Sequence, residues 1–172
     1  MIKVDISKCT GCRRCETACA FFHTGRINNR QARIKVTNLY ETGIDGPTVC
    51  QQCRQRYCMN CPVGALTLGS EGQVIVSPTV CQLCSACEKA CPIGAIELFD
   101  GFVYVCDLCG GNPKCVSACT EGAITYEPQS SETVSLENIK KQTAKMNPSQ
   151  KRQLYIAKLG AEVRNKWSKR NA

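Results

Sequence analysis

The sequence predicts an α+β fold built around metal-binding loops, and three observations carry that expectation. All sixteen cysteines of the 172 residues fall into four groups of four: Cys9-Cys12-Cys15-Cys19, Cys50-Cys53-Cys58-Cys61, Cys81-Cys84-Cys87-Cys91 and Cys106-Cys109-Cys115-Cys119. Three groups end in the same turn and β-prone run: Cys61-Pro62-Val63-Gly64-Ala65-Leu66, Cys91-Pro92-Ile93-Gly94-Ala95-Ile96 and Cys119-Thr120-Glu121-Gly122-Ala123-Ile124. At Glu127-Pro128 the composition changes, and beyond it positive charge and helical periodicity take over.

The elements follow in order. β-Prone segments precede three of the groups, at residues 2–6, 74–76 and 102–105, whereas Thr48-Val49 before the second is too short for a strand. The repeating unit is therefore strand, cysteine loop, short helix and strand. Two such units pack into one small ferredoxin-like core, and residues 1–127 hold enough for two interleaved cores. An insertion at 23–47 separates the first two groups. Within it, residues 32–39 read as a strand with Ile34 and Val36 on one side, after a turn-rich loop at 24–29. This insertion either covers the double core or contacts a larger partner.

Residues 128–172 form a separate, helical C-terminal extension. Ser135 is a candidate cap for a helix carrying Leu136, Ile139, Thr143 and Met146 on one face. Asn147-Pro148 interrupts it, and Pro148 suits the first turn of a second helix striped by Ile156, Leu159, Val163 and Trp167. The extension either packs back over the body or acts as an arm for self-association, with Trp167 as the anchor in both cases.

Charge is divided along the chain. The net +8 comes from twelve Lys and Arg against eleven Asp and Glu in residues 1–127, and ten against three beyond. An oxidised four-thiolate cubane adds about −2, so a fully loaded body is acidic and the extension basic. That pattern favours docking of the extension on an acidic surface over nucleic-acid binding. The N-terminal residues contain no apolar signal-like run, and every apolar stretch is short and broken by charge. A cytoplasmic protein without direct membrane insertion is the expectation, in a compartment that keeps thiols reduced.

The cysteine spacing carries the chemistry. Two-residue gaps let neighbouring thiolates converge on one inorganic core while the intervening amides turn toward its sulfides. Four thiolates complete one cubane, so sixteen cysteines close at four [4Fe-4S] clusters. The third group, followed by Pro92, has the bacterial ferredoxin spacing, in which the fourth cysteine serves the other cluster of a pair. The first has the same spacing with Ala20 in place of proline. The second and fourth depart from it, with four residues between Cys53 and Cys58 and five between Cys109 and Cys115. A zinc-stabilised nucleic-acid-binding module is the rival reading of the same count. Three tightly spaced cysteines followed by a fourth, often with proline, argue against it.

No catalytic residues accompany the cysteines. His23 is the single histidine and is assigned to packing near a cluster or at the surface, with partner contact or cluster tuning as the alternative. Gly110-Gly111-Asn112 and the Gly43–Gly46 segment are turns, not a dinucleotide fingerprint. Arg13, Arg14, Arg54 and Arg56 lie in cysteine loops, where they either moderate cluster charge or face solvent. The chain is read as a non-enzymatic handler of electrons that leaves bond chemistry to another subunit.

The order of the groups resembles the four-cluster electron-transfer subunits of the dimethylsulfoxide-reductase and hydrogenase type, over residues 1–127. That resemblance implies pairing of the first group with the last and of the two middle groups. Cys9, Cys12, Cys15 and Cys119 would hold one cluster, and Cys19, Cys106, Cys109 and Cys115 a second. Cys50, Cys53, Cys58 and Cys91 would hold a third, and Cys61, Cys81, Cys84 and Cys87 a fourth. The two-residue gap from Cys58 to Cys61 departs from that family's usual three. The run Cys9-Thr10-Gly11-Cys12-Arg13-Arg14-Cys15-Glu16-Thr17-Ala18-Cys19, with Phe21-Phe22-His23-Thr24-Gly25 and Ala32-Arg33-Ile34, is similar to small polyferredoxin subunits. Those subunits accompany tungsten aldehyde oxidoreductases and tungsten-type benzoyl-coenzyme A reductases. The resemblance implies a catalytic tungsten-pterin partner, with aldehyde oxidation preferred, and a ferredoxin or flavin-containing subunit as the second electron partner. Benzoyl-coenzyme A reductase, or another molybdenum, tungsten or hydrogenase complex, is the alternative.

Overall fold

The computed structural model describes residues 1–128 and 135–170. Its elements are β1 (Ile2–Val4), α1 (Arg14–Thr24), β2 (Lys35–Leu39), β3 (Ile44–Thr48), β4 (Leu66–Leu68), β5 (Val74–Val76), α2 (Ala86–Ala90), β6 (Glu97–Phe99), β7 (Phe102–Tyr104), α3 (Lys114–Ser117), β8 (Ile124–Tyr126), α4 (Glu137–Thr143) and α5 (Pro148–Arg170). Helices and strands are both present without strict alternation, β2 to β5 running in succession and α4 and α5 closing the described chain, as suits an α+β arrangement. The strands pair antiparallel in four two-stranded sheets: β1 with β8, β2 with β3, β4 with β5, and β6 with β7.

The pairing explains how the loops are arranged. β1 and β8 run side by side, with Ile2 opposite Tyr126 and Val4 opposite Ile124, so the first and last cysteine groups share one support. The β4–β5 hairpin connects the second group to the third, and the β6–β7 hairpin the third to the fourth. Buried side chains divide accordingly. One cluster gathers Ile2, Ala20, Ile34, Val49, Leu108 and Ile124 around the first and last groups. The other gathers Ala65, Val74, Ile93, Ile96, Val105 and Ile156 around the middle groups and α5.

The 23–47 segment differs from the sequence expectation in one respect. β2 begins at Lys35, with Ile34 and Val36 both buried, but it is half of a hairpin whose other strand is β3. β3 reads Ile-Asp-Gly-Pro-Thr, a composition with weak strand preference, and exists because β2 and α5 cover it. Gly46 is thus a strand residue rather than a turn. A Cβ there would lie 2.8 Å from Ile156 Cδ1 and 2.9 Å from Ile6 Cγ2, so the missing side chain lets helix and strand approach. Glu16, almost fully buried on α1, ties the hairpin down by accepting from the Val36 N–H at 2.7 Å.

The extension packs on the body through the first half of α5. Tyr155 and Ile156 are buried, and Leu159 and Val163 are half-buried against the central apolar cluster. Trp167 does not anchor this packing, since it remains 39% exposed. Ser135 is not the cap of α4 either. Leu136 occupies that position without a side-chain hydrogen bond, while the Ser135 hydroxyl accepts from Gln55 Nε2 at 3.2 Å. Pro148 opens α5, where a proline costs no helical hydrogen bond.

Gly94 is the tightest point of this contact. Its φ of +65° suits glycine, and a Cβ would meet the Pro148 backbone, with C at 3.0 Å and Cα at 3.1 Å. Left-handed strain plus overpacking sets the cost of Gly94→Ala at about 2 kcal/mol or more. The expected result is a lower urea midpoint together with faster tryptic cleavage inside α5. Unchanged cleavage would contradict the docking described.

Candidate metal centres

The cysteine loops are held by local backbone geometry. Arg13 and Ser85, the residues before α1 and α2, adopt left-handed conformations with φ of 59° and 61°. These bends fold each loop back so that the third cysteine sits on the helix and faces the first two. The amide of Ala95 donates to Cys91 Sγ at 3.3 Å. Amides of the corresponding turn after Cys61, led by Val63 and Ala65, hold that thiol below its ordinary pKa. Sulfurs that accept several amides are suited to be thiolate ligands.

Cysteines from different groups meet in space. Cys9, Cys12, Cys15 and Cys119 line one cavity between Val36, Pro47 and Ile124. Cys50, Cys53, Cys58 and Cys91 line another, closed by Tyr57, Ile93 and Leu136. Cys115 and Cys109 carry charge close to Cys19, and Cys106 feels Cys115 and Cys19. Cys81 and Cys61 act in the same way on Cys87. Both cavities and the Cys19–Cys106–Cys109–Cys115 gathering take three cysteines from one group and one from another, and Cys87 has Cys81 of its own group and Cys61 of the second beside it.

Burial makes these thiols poor acids on their own. It pushes Cys50, Cys58 and Cys115 up to about 12 and Cys87 up to about 11. Four buried thiols with no cation would stay protonated; a bound metal core supplies the charge that makes them ligands. The donor set is all sulfur, in tight cavities with amides directed at sulfur, and it fits a cubane iron–sulfur core.

The first and fourth groups are further braced by residues that the cysteine pattern does not reveal. The Arg33 N–H donates to Cys19 Sγ at 3.2 Å, and the Arg33 guanidinium pairs with Asp107. His23 Nε2 lies 3.6 Å from Cys109 Sγ and 3.4 Å from Asp107 Oδ1. Burial, reinforced by Arg33, lowers the His23 pKa, so the ring is neutral near pH 7 and can donate to one neighbour. His23 therefore belongs to the surroundings of the Cys19–Cys109 gathering. Arg13 bonds Asn38 and Glu16, Arg14 bonds Thr120, and Arg56 bonds the Gly72 carbonyl, so these three arginines staple loops together.

Residues 1–27 and 74–97 each match a family described as 4Fe-4S binding domain. Over 124 residues the chain is 44% identical to the aliphatic sulfonate oxidoreductase, polyferredoxin-like subunit of Pyrococcus furiosus, covering 70% of this chain and 71% of that one. The chain belongs to the polyferredoxin-like, 4Fe-4S electron-transfer subunits. This polyferredoxin is also 37% identical over 133 residues to the NADH-dependent phenylglyoxylate dehydrogenase subunit beta of Aromatoleum evansii. There the match covers 73% of this chain but 29% of the longer relative. Among solved structures, the active site complex BamBC of benzoyl coenzyme A reductase aligns with 85% of the polyferredoxin and 90% of that chain, at a TM-score of 0.44 and 22% identity. Among the described residues, no helix is long and apolar enough to cross a membrane.

Proposed function

We propose that residues 1–127 form two nested ferredoxin-like cores that carry four [4Fe-4S] clusters as a linear relay. The ligand sets are Cys9, Cys12, Cys15 and Cys119; Cys19, Cys106, Cys109 and Cys115; Cys50, Cys53, Cys58 and Cys91; and Cys61, Cys81, Cys84 and Cys87. The observation that carries this reading is the meeting of cysteines from different groups, three with one in the first three sets and Cys61 with Cys81 and Cys87 in the fourth.

Further proximities support an order. Cys15 senses Cys115, joining the first set to the second, and Cys106 senses Cys50, joining the second to the third. Cys58 and Cys61 belong to one loop, which joins the third set to the fourth. Cys12 and Cys84, from the first and fourth sets, are the exposed cysteines. Electrons thus arrive at one terminal cluster and leave from the other, while the buried cysteines keep the middle of the path dry.

The chain is non-catalytic in this proposal, since its thiols are committed as ligands. Its relatives are named as parts of larger oxidoreductases, which supports a catalytic oxidoreductase as one partner. We assign that partner to the tungsten-pterin, aldehyde-oxidising class, and the other to ferredoxin or a flavin-containing subunit in the cytoplasm. Anaerobic purification of the native complex tests both levels. About sixteen iron atoms per chain and a tungsten-containing partner are expected, at four iron atoms per cubane. Four zinc atoms would overturn the cluster assignment, and a partner without tungsten would overturn the assignment of partner class alone.

A further inference from the structure

α5 places a buried cation beside the third ligand set. Lys151 is 1% exposed, and its Nζ donates to the carbonyls of Glu88 at 3.2 Å and Lys89 at 2.7 Å. These carbonyls lie in α2, immediately before Cys91. Arg152 reaches the other side of the same cysteine, donating to the Gly94 carbonyl at 3.0 Å and pairing with Glu97 at 3.2 Å. The first turns of α5 therefore bracket Cys91 from both sides.

Lys151 lacks the partner that a buried ammonium needs. Among the described residues its Nζ meets two carbonyls and no carboxylate. Glu88 is nearest in sequence, but its carboxylate accepts from the Leu98 N–H at 2.5 Å. Carbonyl dipoles alone compensate a buried full charge poorly, so such groups are normally found beside an opposite charge. Burial lowers the Lys151 pKa, and two groups oppose it, Cys91 first and the Glu88 carboxylate second. The anion that balances the ammonium is the thiolate-ligated centre to which Cys91 belongs.

We propose that Lys151 sets the potential of the cluster held by Cys50, Cys53, Cys58 and Cys91, and that reduction of this cluster tightens the seating of α5. The inference rests on the ligand assignment above. When the site accepts one electron from the relay or from dithionite, its charge changes from about −2 to −3. The step takes up the electron alone, Lys151 keeping its ammonium proton throughout, and the added negative charge draws on that cation more strongly. Reciprocity then requires that whatever the seated helix adds to the reduction constant, reduction adds to the seating constant.

A carbonyl cap without redox influence is the plain alternative, and Lys151→Gln separates the two. The amide keeps N–H donors for the Glu88 and Lys89 carbonyls and removes only the charge. Potentiometric titration followed by paramagnetic resonance should show one of four midpoints falling by about tenfold in reduction constant, ~59 mV for one electron, with the others unmoved. In the wild-type protein, amide exchange across 148–156 should be slower in the dithionite-reduced than in the oxidised state, by a similar factor. Full iron content with all four midpoints unchanged in Lys151→Gln overturns the proposal. If that variant does not load, equal exchange in the two wild-type states overturns it. Iron well short of about sixteen atoms in the wild-type protein would instead sink the ligand assignment, and this proposal with it.

Discussion

Removing iron under anaerobic conditions abolishes the tertiary structure of this protein; that is the largest effect we expect. The reason lies in the size of its elements. Three of the four sheets are pairs of three-residue strands, and α2 and α3 have five and four residues. Helices shorter than about 12 residues and isolated strand pairs are marginal in water. Ligand bonds tie these fragments together, so loading free energy is folding free energy. Near-ultraviolet circular dichroism of the chelated protein should vanish, and amide resonances should collapse into the narrow range of an unfolded chain. Residual far-ultraviolet helicity is expected from α5 alone, which has 23 residues. An iron-free chain that still unfolded cooperatively would contradict this account.

The second large effect separates the crossed ligand sets from a simple one-loop-one-cluster arrangement. Cys91→Ala should cost one cluster signal and about four of sixteen iron atoms. Cys53→Ala should do the same, and the double variant should lose no more than either single variant, because both residues hold the same core. Cys84→Ala combined with Cys91→Ala should lose two signals and about eight iron atoms. If Cys91 served its own loop, the outcomes of the two double variants would exchange. Spin quantitation after dithionite reduction reads the result directly, and non-additivity within a set is the signature of a shared centre.

Much of this architecture is legible in the sequence because the cysteine loops impose it. A cysteine followed by Pro, an apolar residue, Gly and Ala announces a turn and then a strand, and β4 and β6 follow such runs. Other features depend on distant contacts. β3 contains Gly46 and Pro47, which discourage a strand locally; only the facing β2 and the close approach of Ile156 make it one. Ser135 resembles a helix cap, yet its hydroxyl is engaged by Gln55, and α4 starts one residue later than a Ser135 cap requires.

The residues around the candidate centres divide in the same way. Cysteine identity marks the candidate ligands, whereas Arg33 and Asp107 lie in different loops and nothing in either loop anticipates the other. Lys151 and Arg152 have a faint signal: they precede the buried Tyr155 and Ile156 by one helical turn and share their face. An apolar stripe read without its charged members starts that face at Ile156 and misses them. Trp167 is the converse case: a large aromatic at helical spacing suggests an anchor on the body, yet it remains 39% exposed.

The β1–β8 pairing has a consequence for how the protein is made. Residue 2 lies opposite residue 126, so the support under the outermost ligand loops is absent until nearly the whole body has left the ribosome. In the proposed ligand sets, the third and fourth cubanes need no cysteine beyond Cys91 and can mature first. The second set would then be complete at Cys115 and the first only at Cys119, leaving the cysteines of the first group exposed to oxidants meanwhile. Biogenesis would thus be staged from the middle loops outward along the chain, and a chain truncated after the third loop would keep the half of the conductor that ends at Cys84 and lack the half that ends at Cys12.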